Sequence, residues 1–433
     1  MRITKVFEIE NVEEIKIKLL FWSQQFREIC YLDSNQHSGP YTQFEAMLGV
    51  DAFTSIKTDS FFAFEALDEY QKNTQDYILG YLTYDLKNGI EKLESNNWDG
   101  LQFPDVYFFQ PKKLFIIQNN TITLSYLHFV ADEMGSDWQE IKETVTFTED
   151  INPIYFKSRI NSECYIEQVN KILDHIAKGN IYEANFCMEF YAESAIDPLQ
   201  TFLALNKISK APFASFFKMQ EYFALCASPE RYIQKTNQTL ISQPIKGTAR
   251  RGVNEIEDLK LKTDLENNIK EYTENVMIVD LVRNDFSKTA KPGTVTVPEL
   301  CKIYSFSQVH QMISTIQSTI NESFSPTQVI KSTFPMGSMT GAPKLSAMKI
   351  CESVEEFKRG LYSGCIGYFT PNSDFDFNVV IRSILYNQRK QYVSYSVGSA
   401  ITSQATAIQE YEECLVKASA LFSIFNEHVI AKS

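Results

Sequence analysis

Residues 222–248, YFALCASPERYIQKTNQTLISQPIKGT, read as short strands punctuated by turns. Residues 222–233 form a strand, a turn at Ser228-Pro229-Glu230 and a second strand; residues 239–245 run as a third strand into Lys246-Gly247-Thr248. A hairpin-like path through these elements brings Glu230 and Lys246, sixteen residues apart, to one cleft. A lysine amine is a nucleophile and a carboxylic acid a proton donor once both are partly withdrawn from water. Spacing alone favours a solvated turn lysine and a surface glutamate, so the rest of the chain has to overturn that reading.

Toward the N-terminus, short apolar runs rich in β-branched and aromatic residues recur at 60–67, 77–84, 106–109, 113–117 and 121–130. They predict an antiparallel sheet. Residues 132–152 are polar and acidic and read as the crossing between an amino-terminal region, 1–150, and a catalytic region, 151–433. In the second region Tyr165, Val169, Ile172, Leu173 and Ile176 fall at helical spacing, with Ser162 as the starting cap and Gly179 at the end. A strand is predicted over 181–190, one long helix over 256–282, strands over 361–370, 375–386 and 392–399, and a closing helix over 405–425. Strand runs with segregated helices give an α+β fold rather than a doubly wound one.

Composition narrows the function classes. The 433 residues are 44% hydrophobic, enough for a large core, and no run approaches the ~18 apolar residues of a membrane span. The start, MRITKVFEIENVEEIK, lacks a continuous apolar signal core, so a cytoplasmic protein is expected. Eight scattered cysteines show no metal-site pairing and fit a reduced compartment. A net charge of −13 without a basic cluster argues against nucleic acid.

Two glutamate pairs stand out. Glu271 and Glu274 lie three apart on a predicted helix, and Glu410 and Glu413 repeat the arrangement on the last one, so each pair shares a face. Hard oxygen donors from two helices suit magnesium better than zinc, although such pairs also occur on solvated faces.

Several blocks from residue 155 onward resemble the chorismate-utilising enzymes, the family of anthranilate synthase component I, aminodeoxychorismate synthase component I and the isochorismate and salicylate synthases. They are Gly179-Asn180-Ile181-Tyr182-Glu183-Ala184-Asn185, Ala227-Ser228-Pro229-Glu230-Arg231, Pro244-Ile245-Lys246-Gly247-Thr248 and residues 271–285 (EYTENVMIVDLVRND). Val309-His310, residues 337–344 (GSMTGAPK), Ile381-Arg382 and residues 410–417 (EYEECLVK) follow in the family's order. The amino-terminal region matches more loosely. Residues 32–35 sit where feedback-regulated anthranilate synthases carry a tryptophan-contacting motif, and they depart from it.

The resemblance implies two packed antiparallel-rich sheets flanked by helices, with the two halves intertwined. Lysine at position 246 is similar to the aminodeoxychorismate branch, whereas anthranilate synthases usually have alanine there. The implied reaction is amination of chorismate at C4 by ammonia, giving 4-amino-4-deoxychorismate on the way to 4-aminobenzoate and folate. Lys246 would add at C2 while protonated Glu230 assists loss of the C4 hydroxyl; this requires a lowered pKa for the lysine and a raised one for the glutamate. Glu274 and Glu413 are the implied magnesium ligands, with Glu271 and Glu410 acting through water. Arg382, Tyr362 and Lys417 would anchor the enolpyruvyl carboxylate, aided by backbone at Gly398 and Ala400, where the family often has three glycines. His310 would lie beside the ring, and Thr248 and Thr340 would add hydrogen bonds. Glu183 stands where the family more often has glutamine. No cysteine sits in a nucleophile-elbow context, so ammonia is expected from a separate glutamine amidotransferase subunit. Anthranilate synthase, an isochorismate or salicylate synthase, and a non-catalytic chorismate-binding subunit are the alternative readings.

Overall fold

A computed structural model describes residues 1–306 and 309–425. Their twenty strands are linked by hydrogen bonds into one continuous array. The array divides at two thirteen-residue strands, Ala46–Thr58 and Val106–Gln118, which pair along their length. Along its other edge, Val106–Gln118 pairs first with Ile78–Leu82 and then with Thr121–Leu127. One edge therefore feeds two sheets, and a bulge between Ala52 and Thr54 marks the bend.

From Ala46–Thr58 one sheet runs through Glu28–Asp33, Phe213–Met219, Tyr222–Ser228, Ser383–Asn387 and Tyr392–Thr402 to Glu183–Glu193. From Ile78–Leu82 the other runs through Cys365–Phe369, Phe375–Asn378, Arg231–Thr236 and Thr239–Gln243 to Val309–Thr319, which also pairs with Ile245–Arg250. Strands from the first 150 residues thus pair directly with strands from the rest, as an intertwined chain requires. Two apolar cores result, one containing Phe115, Phe186 and Tyr395, the other Tyr81, Phe108 and Phe377. Truncating a ring such as Phe108 to alanine is expected to cost about 3–5 kcal/mol.

Several local expectations are corrected. Ser228-Pro229-Glu230 is not a hairpin turn, because its flanking strands pair with different neighbours in different sheets. Proline has no N–H to continue a ladder, so the chain leaves one sheet there and enters the other. Residues 379–382 make the reverse crossing. The two crossings lie side by side: Val379 N–H donates to Glu230 O at 3.0 Å and Ala227 N–H to Arg382 O at 3.2 Å.

The single helix predicted over 256–282 is two helices, Glu255–Glu266 and Ile269–Ser287. Asn268 breaks it by accepting from the Glu271 N–H and capping the second. Asn161, not Ser162, caps the helix Ser162–Ala177 by accepting from the Cys164 N–H. The crossing expected at 132–152 contains a helix, Met134–Glu143, whose buried Asp137 receives Lys113 and the Tyr126 hydroxyl. All eight cysteines are free thiols, and among the described residues no helix is long and apolar enough to cross a membrane.

Candidate active site

The junction of the two sheets positions the reactive pair. Glu230 occupies one crossing and is 4% exposed. Lys246 lies on Ile245–Arg250, a strand rather than the expected turn, whose register shifts between Ile245 and Thr248. Gly247, at φ +90°, makes that distortion possible. The missing side chain also lets the helix Ile269–Ser287 approach: a Cβ there would stand 3.2 Å from the Glu271 carboxylate.

The electrostatics follow from burial and neighbours. Burial pushes the Glu230 carboxyl up to about 7, with the Lys246 cation only partly offsetting it. The Ser338 hydroxyl beside it favours the anion more than Lys246 does, although its geometry falls short of a closed hydrogen bond. Lys246 behaves contrary to expectation. Burial would lower its pKa, but Glu183 and Glu274 outweigh burial and hold the ammonium well above the usual lysine range. Its Nζ donates to Glu183 Oε1 at 2.7 Å, and Glu183 is 1% exposed with Oε2 unpartnered. The sequence raised Glu183 only as a departure from glutamine; the structure makes it the counter-ion of Lys246.

The four glutamates of the two helices converge around a second lysine. Lys270 Nζ lies 3.2 Å from Glu410 Oε1 and 3.9 Å from Glu274 Oε1. Glu274 is buried, its Oε1 has no hydrogen-bond partner, and burial raises its pKa to about 7. Burial also raises Glu271. At Glu413 burial acts upward too, but Lys417, 2.6 Å away, pulls the carboxyl below the usual range. Among the described residues no three acidic, histidine or cysteine side chains close on one point. The donor set is nonetheless hard oxygen, with one buried oxygen unsatisfied and an ammonium bridging the two helices. Such donors fit a hard divalent cation that displaces Lys270.

The predicted anion anchors gather around the strand Tyr392–Thr402. Gly398 packs so closely that a Cβ would come within 2.8 Å of Asn185 Nδ2 and 3.2 Å of the Tyr362 hydroxyl. Lys417 donates to the Gly398 carbonyl at 2.9 Å. Ala400 shares the Gly398 face by strand alternation. Ser399 points the other way and donates to Glu410 Oε2, which explains why serine is tolerated in the middle of this run. Arg382 lies in the left-handed region at φ +51°, and its guanidinium has no hydrogen bond or ion pair among the described residues. Burial lowers its pKa, and the Tyr395 ring is its neighbour.

Other predicted contacts lie apart from this set. His310 uses both nitrogens within the protein: Nε2 meets Asp258 Oδ1 at 3.0 Å and Nδ1 meets Ser305 Oγ at 2.9 Å. It presents no free nitrogen to a ligand here. Thr248 is exposed, and the Thr340 hydroxyl donates back to Met336 and Gly337 carbonyls.

The block at 337–344 forms a short 3-10 turn, Gly337–Met339, and a bridge to Glu183–Glu193. A group missed from sequence holds it. Arg359, fully buried, pairs with Glu355 and donates to the Met339 and Asn185 carbonyls at 2.6 and 2.7 Å. Its Lys-Arg-Gly context carries no signal of burial. A cavity of about 210 Å³, lined by Leu32, Ser34, Phe213, Pro229, Ile245 and Tyr368, lies beside the same crossing. The residues at 32–35 that depart from the tryptophan motif form part of its wall.

Comparison with known proteins places this geometry. The family of chorismate binding enzymes matches residues 20–423. A probable chloroplastic aminodeoxychorismate synthase of Oryza sativa subsp. japonica is 33% identical over 81% of this chain, which spans only 43% of that protein. Aminodeoxychorismate synthase component 1 of Bacillus subtilis is 30% identical over 80% of this chain and 76% of its own length. Anthranilate synthase component 1 of Thermus thermophilus is also 30% identical, over 79% and 76%, so identity does not separate the branches. Two solved structures share the fold: anthranilate synthase component I of Streptococcus pneumoniae (TM-score 0.76, 22% identity, 89% of this chain and 94% of that one) and the menaquinone-specific isochorismate synthase of Escherichia coli (TM-score 0.78, 15% identity, 98% and 94%).

Proposed function

The chain belongs to the chorismate binding enzyme family, and within it we propose the C4 amination of chorismate by ammonia, through a covalent bond to Lys246. The observation that carries the reading is the buried Lys246 amine set near a carboxyl, Glu230, that retains its proton to about pH 7. An amine at this position can attack the ring itself, which an alanine there could not. Direct replacement of an allylic hydroxyl is difficult, whereas attack at C2 with expulsion at C4 divides the task into two displacements.

In the first, the Lys246 amine bonds to C2, both ring double bonds shift, and the C4 hydroxyl leaves as water with the Glu230 proton. In the second, ammonia bonds to C4, both double bonds shift back, and Lys246 departs as the neutral amine. The Glu230 carboxylate recovers the proton that the new ammonium sheds. Arg382, with Lys417 and Tyr362 nearby, supplies the planar fork and charge for the enolpyruvyl carboxylate. Magnesium, held by Glu274 and Glu413 with Glu271 and Glu410 behind them, would supply positive charge for the ring carboxylate and draw the charge of Glu274 away from Lys246. Ammonia would come from a separate glutamine amidotransferase subunit.

The test is a product assay with chorismate, magnesium and ammonium, read by mass and absorbance. 4-Amino-4-deoxychorismate is expected, and glutamine should replace ammonium only when a glutaminase subunit is added. Anthranilate, isochorismate or salicylate as product would move the chain to another branch. No turnover under any of these conditions would leave a chorismate-binding subunit without catalysis.

A further inference from the structure

A small second cavity touches Glu230 on a side that Lys246 does not line. Its space is about 10 Å³ for the centre of a water-sized molecule, and Glu230, Ser242, Val282, Asp285, Thr333 and Ser338 are among its walls. That is room for roughly one molecule with a single heavy atom.

Most of its polar lining is already engaged. Ser242 Oγ donates to the Tyr232 carbonyl at 2.7 Å, and Thr333 Oγ1 shares a 2.6 Å hydrogen bond with the Tyr232 hydroxyl. Asp285 is held by Lys288 at 2.9 Å and Lys344 at 2.5 Å. Ser338 Oγ is the exception. The residue is 7% exposed and its hydroxyl has no partner. A buried hydroxyl left unpaired costs about 1–3 kcal/mol, so its place is explained by a guest that bonds to it. Asp285 is neutralised by two lysines, and while Glu230 holds its proton the cavity offers no negative charge for a cation, so a neutral guest suits that state better.

We infer that this cavity is the seat of the second substrate, one neutral ammonia molecule held between Ser338 Oγ and the Glu230 carboxyl. The inference rests on the amination reading above and assigns the place from which that reaction's nitrogen arrives. From there the nitrogen lone pair bonds to C4 as the Lys246–C2 bond breaks and both ring double bonds shift. The proton shed by nitrogen passes to Glu230, ionised when the hydroxyl left as water, so atoms and charge balance. The pocket's size also sets selectivity: methylamine is too large for it.

Two variants test this in the whole chain, Ser338→Ala, which removes the free hydroxyl, and Val282→Ile, which fills the cavity from the opposite wall. The readouts are the KM for ammonium, the KM for chorismate, and the ammonia-free rate of Lys246 adduct formation by intact-protein mass spectrometry. Ser338→Ala should raise the ammonium KM about five- to ten-fold, the loss of one hydrogen bond. Val282→Ile should raise it roughly ten-fold or more, with chorismate KM and adduct rate changed by less than about two-fold. An ammonium KM unmoved in both variants means a resident water only and overturns the inference. Parallel shifts in chorismate KM and adduct rate overturn it too, since they mean that the wall merely positions Glu230. Wild-type protein that forms no aminated product sinks the amination reading itself, and the inference falls with it; normal amination with an unmoved ammonium KM sinks the inference alone.

Discussion

Replacing Glu183 by glutamine should make Lys246 a faster nucleophile. The reactive state needs Glu230 protonated and Lys246 neutral. The structure favours the opposite distribution above pH 7, because Glu230 titrates near 7 while Glu183 and Glu274 keep the lysine charged. From low pH up to about 7 the dominant form carries one proton too many, so adduct formation rises about ten-fold per pH unit. Above 7 the ground state and the reactive state hold the same number of protons, so the rate is flat until Lys246 itself titrates. The height of that plateau depends on the gap between the two pKa values. At 2.7 Å and an effective dielectric of ~20 the Glu183 charge attracts the ammonium by roughly 6 kcal/mol. The amide that replaces it still accepts a hydrogen bond, and Glu274 and Glu230 remain. A net loss of about 3 kcal/mol is therefore reasonable, or ~2 pKa units for Lys246. Glu183→Gln should thus raise the plateau of the adduct rate by about 100-fold while leaving its acid limb centred near pH 7. The assay is single-turnover adduct formation with chorismate and magnesium, without ammonia, followed by mass spectrometry from pH 5.5 to 9. A plateau that falls in Glu183→Gln would refute the reasoning, because Glu183 would then be accepting the lysine proton rather than holding it in place.

Three further outcomes are expected. Chelation should abolish turnover and magnesium alone should restore it, with Glu274→Gln and Glu413→Gln raising the magnesium requirement about ten-fold or more; full activity in demetallated protein would exclude the metal role. Arg382→Lys should raise the chorismate KM roughly 10- to 100-fold with a smaller effect on kcat, since it loses the bidentate fork, and equal KM values would show that Arg382 does not bind the carboxylate. Unliganded protein should lose stability as pH rises from about 5 to 8. Glu230 and Glu274 have folded pKa values near 7, above the ordinary glutamate range, so the folded state binds more protons across that window and its advantage is lost as pH climbs through it. Thermal unfolding of wild type and of a Glu230→Gln/Glu274→Gln variant checks this: the variant's Tm should vary less with pH, and equal slopes would remove these two carboxyls as the cause.

What the sequence conveyed was the class of architecture and several residues that the fold gathers at one junction, and what it concealed was mostly relational. Alternating apolar runs specify strands because every second side chain must face a core, and the structure has those strands. Pairing is set by distant partners, which explains why Ser228-Pro229-Glu230 looked like a hairpin turn and is a passage between sheets. The helix over 256–282 was read as continuous because its apolar spacing hardly changes, while the break at Asn268 rests on one side chain finding the Glu271 amide. Burial of charge was hidden for a similar reason. Arg359 lies in a polar context, and only the folded chain brings Glu355, the Met339 carbonyl and the Asn185 carbonyl around it. The pKa of Lys246 was expected to fall on the ground that a nucleophile must be neutral; that is a demand of the reaction, while the folded chain supplies carboxylates that act the other way.

That opposition explains how one cleft can await a doubly negative substrate. Without substrate, Lys246 is balanced by Glu183, Lys270 by Glu410 and Glu274, and Lys417 by Glu413. Each cation that chorismate would attract is already committed, except Arg382, whose guanidinium has no partner among the described residues. Two carboxylates arriving alone would therefore meet a site with more acids than bases, and binding would be opposed. On the proposed reading, a divalent cation bound by the glutamates would change the sum by taking the place of the Lys270 ammonium. It would also weaken the hold of Glu274 on Lys246, leaving Glu183 as that lysine's chief restraint. Cation binding, substrate binding and loss of the lysine proton would then be one linked equilibrium. Chorismate affinity should rise with magnesium concentration by the same factor that magnesium affinity rises with chorismate, as linkage demands. Titration calorimetry of each ligand with and without the other measures both factors. The two factors must agree because the cycle closes, so their size is the test: a factor of one would mean that the glutamates hold the metal without acting on the substrate, and would refute the coupling.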